Sequence, residues 1–142
     1  MYISGVLEIK GRKTVVSNDQ ANVAAAVKVM CDNHVGAVII MGANDKVAGI
    51  LTERDILKKY AEFGDQLGAM PVTKIMSSNI STTGPEAKID EVLETMTEKR
   101  FRHMPVMEKG KLVGIVSMGD MVKAMLEEKT QEAESLKQYI TS

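Results

Sequence analysis

Apolar residues in the first half of the chain have helical spacing in one segment and form continuous runs in two others. Val23, Val27 and Met30 are three or four positions apart, which predicts an amphipathic helix that buries one stripe. Two apolar runs separated by a polar turn follow, and this arrangement predicts a β-hairpin. The predicted order is strand, helix, strand, strand and helix, at 14–16, from Val23, at 37–41, at 46–51 and from Thr52.

The second half of the chain carries the same order of patterns. Ile89, Val92 and Met96 have the helical spacing, and two further apolar runs predict a second hairpin. The matching elements are predicted at 80–82, from Ile89, at 104–107, at 111–116 and from Ser117.

A constant offset relates the two halves. Sliding the chain by 66 positions places Met30 on Met96, and beyond the hairpin turn an offset of 65 places Asp55 on Asp120. An ordered match that is broken only inside a turn indicates an internal duplication. The chain is therefore predicted to be an α/β (α+β) protein made of two tandem β-α-β-β-α repeats.

One repeat cannot bury the apolar faces of its own strands and helices, so we expect the two repeats to pack sheet to sheet with pseudo-two-fold symmetry. The only candidate linker is short and contains two glycines, and its last residue, Pro71, suits the start of a helix. The predicted divisions are 1–63 for the first repeat with an N-terminal helix, 64–71 for the linker, 72–126 for the second repeat and 127–142 for a C-terminal helical tail.

Charge and composition exclude several classes of protein. The 18 basic and 19 acidic residues nearly cancel, so nucleic acid binding has no general electrostatic basis. No apolar run approaches the roughly 18 residues that span a bilayer, and the N-terminus lacks the pattern of a secretory signal, so no membrane partner is expected. A single cysteine, Cys31, cannot form an internal disulfide, which favours a reduced, cytoplasmic location.

A hydroxyl residue with an aspartate three positions later follows the last strand of each repeat, as Thr52 and Asp55 and as Ser117 and Asp120. A helix N-terminus attracts anions, and a carboxylate one turn in can accept hydrogen bonds from the vicinal hydroxyls of a ribose. The pattern therefore suits the sugar-phosphate part of a nucleotide. The same pattern is close to a capping box, in which the two side chains only satisfy the first N–H groups of the helix. The residues alone leave both interpretations open.

No catalytic set is evident, and the protein is predicted not to be an enzyme. Glycine-rich phosphate loops and the nucleophile elbow are absent from the sequence. His34 and His103 have no cysteine or carboxylate at metal-ligand spacing, so no metal site is predicted. Cys31 lies late in an amphipathic helix and is expected in or near the core.

These motifs, in this repeat, resemble the cystathionine-β-synthase (CBS) domain family, whose tandem pair is the Bateman module. The resemblance covers about residues 6 to 126. The residues that carry it are Val6 and Ile9, Val72 and Ile75, GILTERD at 49–55, GIVSMGD at 114–120, and RFRHMPV at 100–106.

The resemblance implies a regulatory module that binds an adenine nucleotide (AMP, ADP or ATP) in the cleft between the repeats, with no required cofactor. NAD(H) in the same cleft is one alternative, S-adenosylmethionine is another adenosine ligand of the family, and a ligand-free protein-interaction scaffold is a third reading. The residues that it assigns are Asp55 and Asp120 for ribose hydroxyls, Thr52 and Ser117 for phosphates, Arg54, Arg100, Arg102 and His103 for phosphate charge, and the surroundings of Val16, Ala37, Thr82 and Met104 for adenine.

The two implied sites are not equal. The first has a cation, Arg54, between Thr52 and Asp55, whereas the second has Met118 and Gly119 there. We therefore expect the Thr52/Asp55 site to be the better equipped. The basic cluster of Arg100, Arg102 and His103 has no counterpart in the first repeat, and its alternative interpretation is a solvated strand edge.

The tail carries an apolar stripe. Leu126, Ala133 and Ile140 are seven positions apart among charged residues, which indicates a helix with one face against a partner. Two heptads are too few for an isolated coiled coil, so the helix packs either on its own domain or on a second subunit. We expect a homodimer, as the resemblance implies. It also implies a regulated partner protein, which the sequence does not identify.

Overall fold

The computed structural model describes residues 1–141. Helices and strands are interspersed along the chain, and short 3₁₀ helices occupy Ala43–Asp45, Gly64–Ala69 and Val72–Lys74. The longer elements are α1 Ile3–Lys10, β1 Val16–Asn18, α2 Val23–Asp32, β2 Ala37–Met41, β3 Val47–Thr52, α3 Glu53–Phe63, α4 Ile89–Lys99, β4 His103–Glu108, β5 Lys111–Ser117 and α5 Met118–Thr141. The predicted α/β class and the predicted helices and hairpins of both repeats are confirmed.

The first strand of the second repeat is much shorter than predicted. Instead of a strand at 80–82, Thr83 forms a single parallel bridge to Val106. In the first repeat the pairing continues, and the N–H of Asp19 donates to the carbonyl of Met41 at 3.0 Å. The residue at the position of Asp19 is Pro85, which has no N–H to donate. Pro105 removes a second donor, because it stands at the position of Ile39, whose N–H donates to the Val15 carbonyl at 3.3 Å. Two prolines, one on each side of the bridge, therefore explain why a three-stranded sheet has a two-stranded counterpart.

The chain folds into two compact units that do not follow the order of the repeats. The Asp55 unit contains 13–81 and 109–112, and the Asp120 unit contains 1–12, 82–108 and the described chain from 113 onward. Helix α1, which opens the first repeat, thus belongs to the unit that holds most of the second repeat. Reciprocally, the 3₁₀ helix Val72–Lys74, which opens the second repeat, belongs to the Asp55 unit.

In the Asp55 unit, β1 is parallel to β2 and β2 is antiparallel to β3. One core lies between this sheet and α2. It also includes Leu67, so the segment 64–71, predicted as a linker, contributes a buried side chain. The buried residues are Val23, Ala26, Met30, Val38, Ile40, Leu51, Leu67, Val72 and Ile75.

In the Asp120 unit, α1, α4 and the start of α5 pack with the β4–β5 hairpin. The buried residues are Ile3, Val6, Leu7, Ile89, Val92, Met96, Met104, Val106, Val116, Met121 and Ala124.

The two units exchange the segments that open the repeats, namely α1 and residues 72–77. Equivalent glycines in β3 and β5 allow these exchanged segments to approach the strands. A Cβ on Gly49 would lie 2.7 Å from the Ser77 carbonyl oxygen, and a Cβ on Gly114 would lie 2.7 Å from Leu7 Cδ2. Contacts this short exclude a side chain at either position unless a neighbour moves. The repeated glycine therefore marks the strand position that each exchanged segment covers.

Helix α5 is buried only at its start. Met121 and Ala124 are fully buried, whereas Leu126 is 63% exposed and Ile140 is 73% exposed. Ala133, in the same stripe, is also exposed. Within the described residues the predicted stripe therefore does not pack on its own domain. No helix found in residues 1–141 combines the length and the apolar character needed to cross a membrane.

The expectation that Cys31 lies in or near the core is wrong, because its side chain is exposed. Helix α2 buries Val23, Ala26 and Met30. Cys31 follows Met30 directly, so it is about 100° further round the helix and faces solvent.

Candidate ligand site

Strand β3 passes directly into α3 at Thr52, and this turn forms a complete capping box. The Thr52 hydroxyl oxygen accepts a hydrogen bond from the Asp55 N–H at 3.2 Å. In return, the Thr52 N–H donates to Asp55 Oδ2 at 3.0 Å. Two N–H groups that the helix itself leaves without partners are thereby satisfied. We call this the Asp55 turn.

Strand β5 passes into α5 in the same way. The Ser117 N–H donates to Asp120 Oδ2 at 2.9 Å, and the Asp120 N–H donates to Ser117 Oγ at 3.0 Å. We call this the Asp120 turn. Each cap uses one carboxylate oxygen, Oδ2, so the role of cap and the role of ribose acceptor through Oδ1 are geometrically compatible. The caps that the sequence left as an alternative are present at both turns.

A backbone hydrogen bond ties the start of each helix to the segment before the hairpin. The Met118 N–H donates to the Arg102 carbonyl at 3.0 Å, and the Glu53 N–H donates to the Gly36 carbonyl at 2.9 Å. The basic cluster is thereby anchored at the Asp120 turn through Arg102. Its equivalent at the Asp55 turn is Gly36, whose missing Cβ would lie 3.1 Å from a carboxylate oxygen of Glu53.

The basic cluster lies on the outside of the Asp120 unit. Arg100 and Arg102 are exposed, and His103 is half-buried as the first residue of β4. Arg100 has φ of 60° and ends α4 in the left-handed conformation. Arg54, in the first turn of α3, is also exposed.

The predicted adenine surroundings differ between the units. Ala37 pairs directly with Thr52 across the β2–β3 ladder, and Val16, on the neighbouring β1, is 41% exposed. Thr82 is exposed beside the Asp120 unit's single bridge, whereas Met104 is 1% exposed and belongs to the core. Only the backbone of Met104 is therefore available to a ligand.

Lys10 is a residue of the Asp120 turn that sequence reasoning missed. Its Nζ lies 2.6 Å from Asp120 Oδ2 and 2.6 Å from the carbonyl oxygen of Ile115. The side chains of Lys10 and Asp120 are 29% and 25% exposed. The contact joins residues 110 positions apart, and it requires α1 to pack against the second repeat. The one available signal was that Lys10 falls on Met76 at the offset of 66.

The surroundings of Asp120 act on its ionisation in opposite directions. Burial raises the pKa of the carboxyl group. The hydrogen bond from Lys10, the bonds from Ser117 and the charge of Lys10 lower it, and together they outweigh burial. The pKa of Asp120 is consequently below its ordinary value, so the turn holds a carboxylate paired with an ammonium group.

The Asp55 turn has a different neighbour at the same strand position. The Ile50 carbonyl, equivalent to that of Ile115, accepts from the Ser77 N–H at 2.9 Å, and the Ile50 N–H donates back to Ser77 at 2.9 Å. Met76 is aligned with Lys10 at the offset of 66, and its sulfur lies beside Gly49. The Ile50 carbonyl is thus bonded by backbone, and the residue aligned with Lys10 is uncharged.

Among residues 1–141, no group of three or more histidine, cysteine, aspartate or glutamate side chains is arranged to hold a metal ion.

Comparisons with known proteins agree with the repeat. The family model of the CBS domain matches residues 8–62 and again residues 72–127. The mitochondrial CBS domain-containing protein CBSX3 of Arabidopsis thaliana is 35% identical over 146 aligned positions, which cover 97% of this chain and 71% of that protein.

Solved structures give the same result. A CBS-domain containing protein from Agrobacterium tumefaciens superposes with a TM-score of 0.84 at 35% identity, covering 88% of this chain and 99% of that one. A hexameric CBS-CP12 protein from bloom-forming cyanobacteria superposes with a TM-score of 0.77 at 29% identity, covering 86% and 66%.

Proposed function

Because this chain belongs to the CBS domain family, we propose that it is a regulatory, non-catalytic module that binds an adenine nucleotide at its strand-to-helix turns. The observation that carries the proposal is the repetition of one arrangement, in which an aspartate caps a helix through Oδ2 while Oδ1 takes no part in the cap. Ribose hydroxyls are the ligand groups that suit this remaining oxygen.

The helix N-termini supply the second part of the proposed site. The first turn of a helix presents N–H groups and a partial positive charge to an anion. Phosphates at this end would be met by Arg54 at one turn and by the basic cluster at the other. Arginine suits the role because its guanidinium group binds phosphate oxygens in pairs. AMP, ADP and ATP are therefore the proposed ligands, and NAD(H) and S-adenosylmethionine are the alternatives that share the ribose.

A protein-interaction scaffold without ligand is the second candidate. The observation in its favour is that both capping boxes are complete, so the aspartates have a structural role that needs no nucleotide. The nucleotide-binding module is expected to be stabilised by an adenosine compound, whereas the scaffold is expected to be unaffected.

Ligand-induced thermal shifts test the proposal. The protein is heated with AMP, ATP, NAD⁺ or S-adenosylmethionine, and a compound at a hundred times its Kd stabilises the fold by about 2.7 kcal/mol. We expect Tm to rise with an adenine nucleotide in the wild type and not in the double variant Asp55→Ala/Asp120→Ala. The ligand-induced shift is compared, because loss of the caps lowers the starting Tm.

Asp90→Ala is the matched control. Asp90 is an exposed acid in the first turn of α4, outside both proposed sites, so this variant should keep the full ligand-induced shift. A nucleotide-free, folded wild-type protein with no shift for any compound would favour the scaffold. A larger shift with NAD⁺ than with AMP or ATP would favour the dinucleotide.

We also propose that the module assembles as a homodimer through α5. The exposed stripe of Leu126, Ala133 and Ile140 supports a partner on that face. Light scattering on a chain ending at Glu128 should give the mass of one truncated subunit, slightly less than half the mass of the full-length dimer. A truncated chain that stays dimeric would exclude this helix as the interface. The regulated partner and the cytoplasmic location stay predictions.

A further inference from the structure

We propose that Lys10 determines ligand charge selectivity at the Asp120 turn, so that this turn takes the nucleotide with more phosphates and the Asp55 turn takes the one with fewer or none. The inference rests on the proposed function, and it adds a residue that lies outside both repeat motifs. The observations that carry it are the two contacts of Lys10 Nζ, with Asp120 Oδ2 and the Ile115 carbonyl, and the presence of Met76 at the equivalent position.

The first step concerns charge. A carboxylate that accepts ribose hydroxyls also repels the phosphates of the same ligand. At the Asp120 turn the ammonium group of Lys10 lies 2.6 Å from the carboxylate and offsets this repulsion. A lysine ammonium has three donors, and two are directed at Asp120 and Ile115, so the third can bind a phosphate oxygen without moving the side chain.

The second step concerns rigidity. Lys10 is the last residue of α1, and Leu7, one turn earlier, is buried in the core. Gly114 brings β5 close to Leu7, which holds the end of α1 over the strand that leads to the turn. The Lys10 ammonium group is thus held in place before a ligand arrives. Ligand binding therefore does not have to order a flexible side chain.

The third step is the contrast with the Asp55 turn. There the backbone of Ser77 bonds to Ile50, and the residue aligned with Lys10 is the uncharged Met76. The carboxylate of Glu53 lies against Gly36 and adds a negative charge near the helix start. These neighbours disfavour a nucleotide with several phosphates at the Asp55 turn. The proposal therefore reverses the ranking expected from the sequence, which favoured the Thr52/Asp55 site because of Arg54.

Isothermal titration in an Asp55→Ala background isolates the Asp120 turn. ATP, AMP and adenosine are titrated into this protein and into the same protein carrying Lys10→Met, which introduces the residue found at the equivalent position. We expect Lys10→Met to weaken ATP binding by about tenfold or more and adenosine binding by much less. Lys10→Arg should retain ATP binding, because the charge remains.

The outcomes separate the two proposals. If the wild type binds none of the three compounds, the proposed function fails and this inference fails with it. If nucleotides bind but Lys10→Met weakens ATP and adenosine equally, Lys10 has only a structural role and the inference alone is overturned. Tighter ATP binding by Lys10→Met would also overturn it, since Lys10 would then compete with the ligand. Should Lys10→Met unfold, Lys10→Gln takes its place in the same Asp55→Ala background, and equal weakening of ATP and adenosine binding by this variant would again overturn the inference.

Discussion

The Asp55 and Asp120 turns share one helix cap but differ in what lies over the strand before it. In both, a hydroxyl residue and an aspartate exchange two hydrogen bonds of 2.9–3.2 Å. Over the Asp55 turn lie Met76 and the backbone of Ser77, and over the Asp120 turn lies Lys10. The cap is local in sequence, whereas the covering residue comes from the segment that opens the other repeat. Duplication therefore repeats the cap, and the exchange of segments gives each copy its own electrostatic surroundings.

Alanine substitution of the glycine beneath each covering segment gives the largest expected difference in unfolding free energy between the two turns. Gly49→Ala places a Cβ against the Ser77 carbonyl oxygen, which is backbone held by two hydrogen bonds. Gly114→Ala meets the end of the Leu7 side chain, which can rotate. We expect losses of unfolding free energy of about 2–3 kcal/mol for Gly49→Ala and about 1 kcal/mol for Gly114→Ala, measured by urea denaturation.

Gly68→Ala is the control for the glycine pair, because its Cβ would meet Ala24 at an ordinary 3.5 Å. It should change stability by less than about 0.5 kcal/mol. An equal or larger loss for Gly114→Ala than for Gly49→Ala would show that the side-chain contact is as rigid as the backbone contact, and the proposed difference between the turns would lose its structural basis.

The features of the two turns that could be predicted from the sequence are those that neighbouring residues encode. The hairpins follow from apolar runs, α2 and α4 follow from helical spacing, and the caps follow from a hydroxyl residue three positions before an aspartate. Each depends on one continuous stretch of the chain, which for a hairpin extends at most from Ala37 to Thr52. The repeat then doubles the signal, which is why the family resemblance was visible without a structure.

The exchanged segments were not predictable in the same way. The offset aligned Lys10 with Met76, but nothing local indicates that α1 packs with the second repeat. The sequence therefore indicated the charge at the Asp120 turn from Met118, Gly119 and the basic cluster, without Lys10. Likewise, Pro85 and Pro105 limit the pairing to Thr83, because each lacks the N–H that its counterpart in the first repeat donates, and apolar spacing does not register this effect.

Replacement of each aspartate by alanine measures how much the covering residue adds to the unfolding free energy at that turn. Asp55→Ala should lose about 0.5–2 kcal/mol of stability, the range for a lost N-cap. Asp120→Ala loses the same cap and also leaves Lys10 Nζ without its carboxylate, so we expect a further loss of about 0.5–1 kcal/mol. Chemical denaturation of both variants gives the difference.

A double-mutant cycle assigns that difference to the ion pair. The variant that combines Lys10→Met with Asp120→Ala should lose less unfolding free energy than the sum of the two single losses, by about 0.5–1 kcal/mol. Strict additivity would mean that Lys10 and Asp120 do not stabilise each other, and the two turns would then be energetically alike.

Acidification gives the smallest expected effect and tests the same pair through its charge. The folded-state pKa of Asp120 is lowered, so its contribution to stability is fully present above the ordinary pKa of about 3.9 and is lost as pH falls through the folded-state pKa. The difference in unfolding free energy between wild type and Lys10→Met should therefore be largest near pH 7 and shrink below about pH 4, by no more than about 1 kcal/mol. A remainder is expected at low pH, because Lys10 still donates to the Ile115 carbonyl. Lys28→Met removes an ion pair with Asp32 whose side chains are 77% and 60% exposed, and it should show almost no such change. A wild-type difference that stays constant with pH would mean that the ammonium group acts at the Asp120 turn only as a hydrogen-bond donor to the strand.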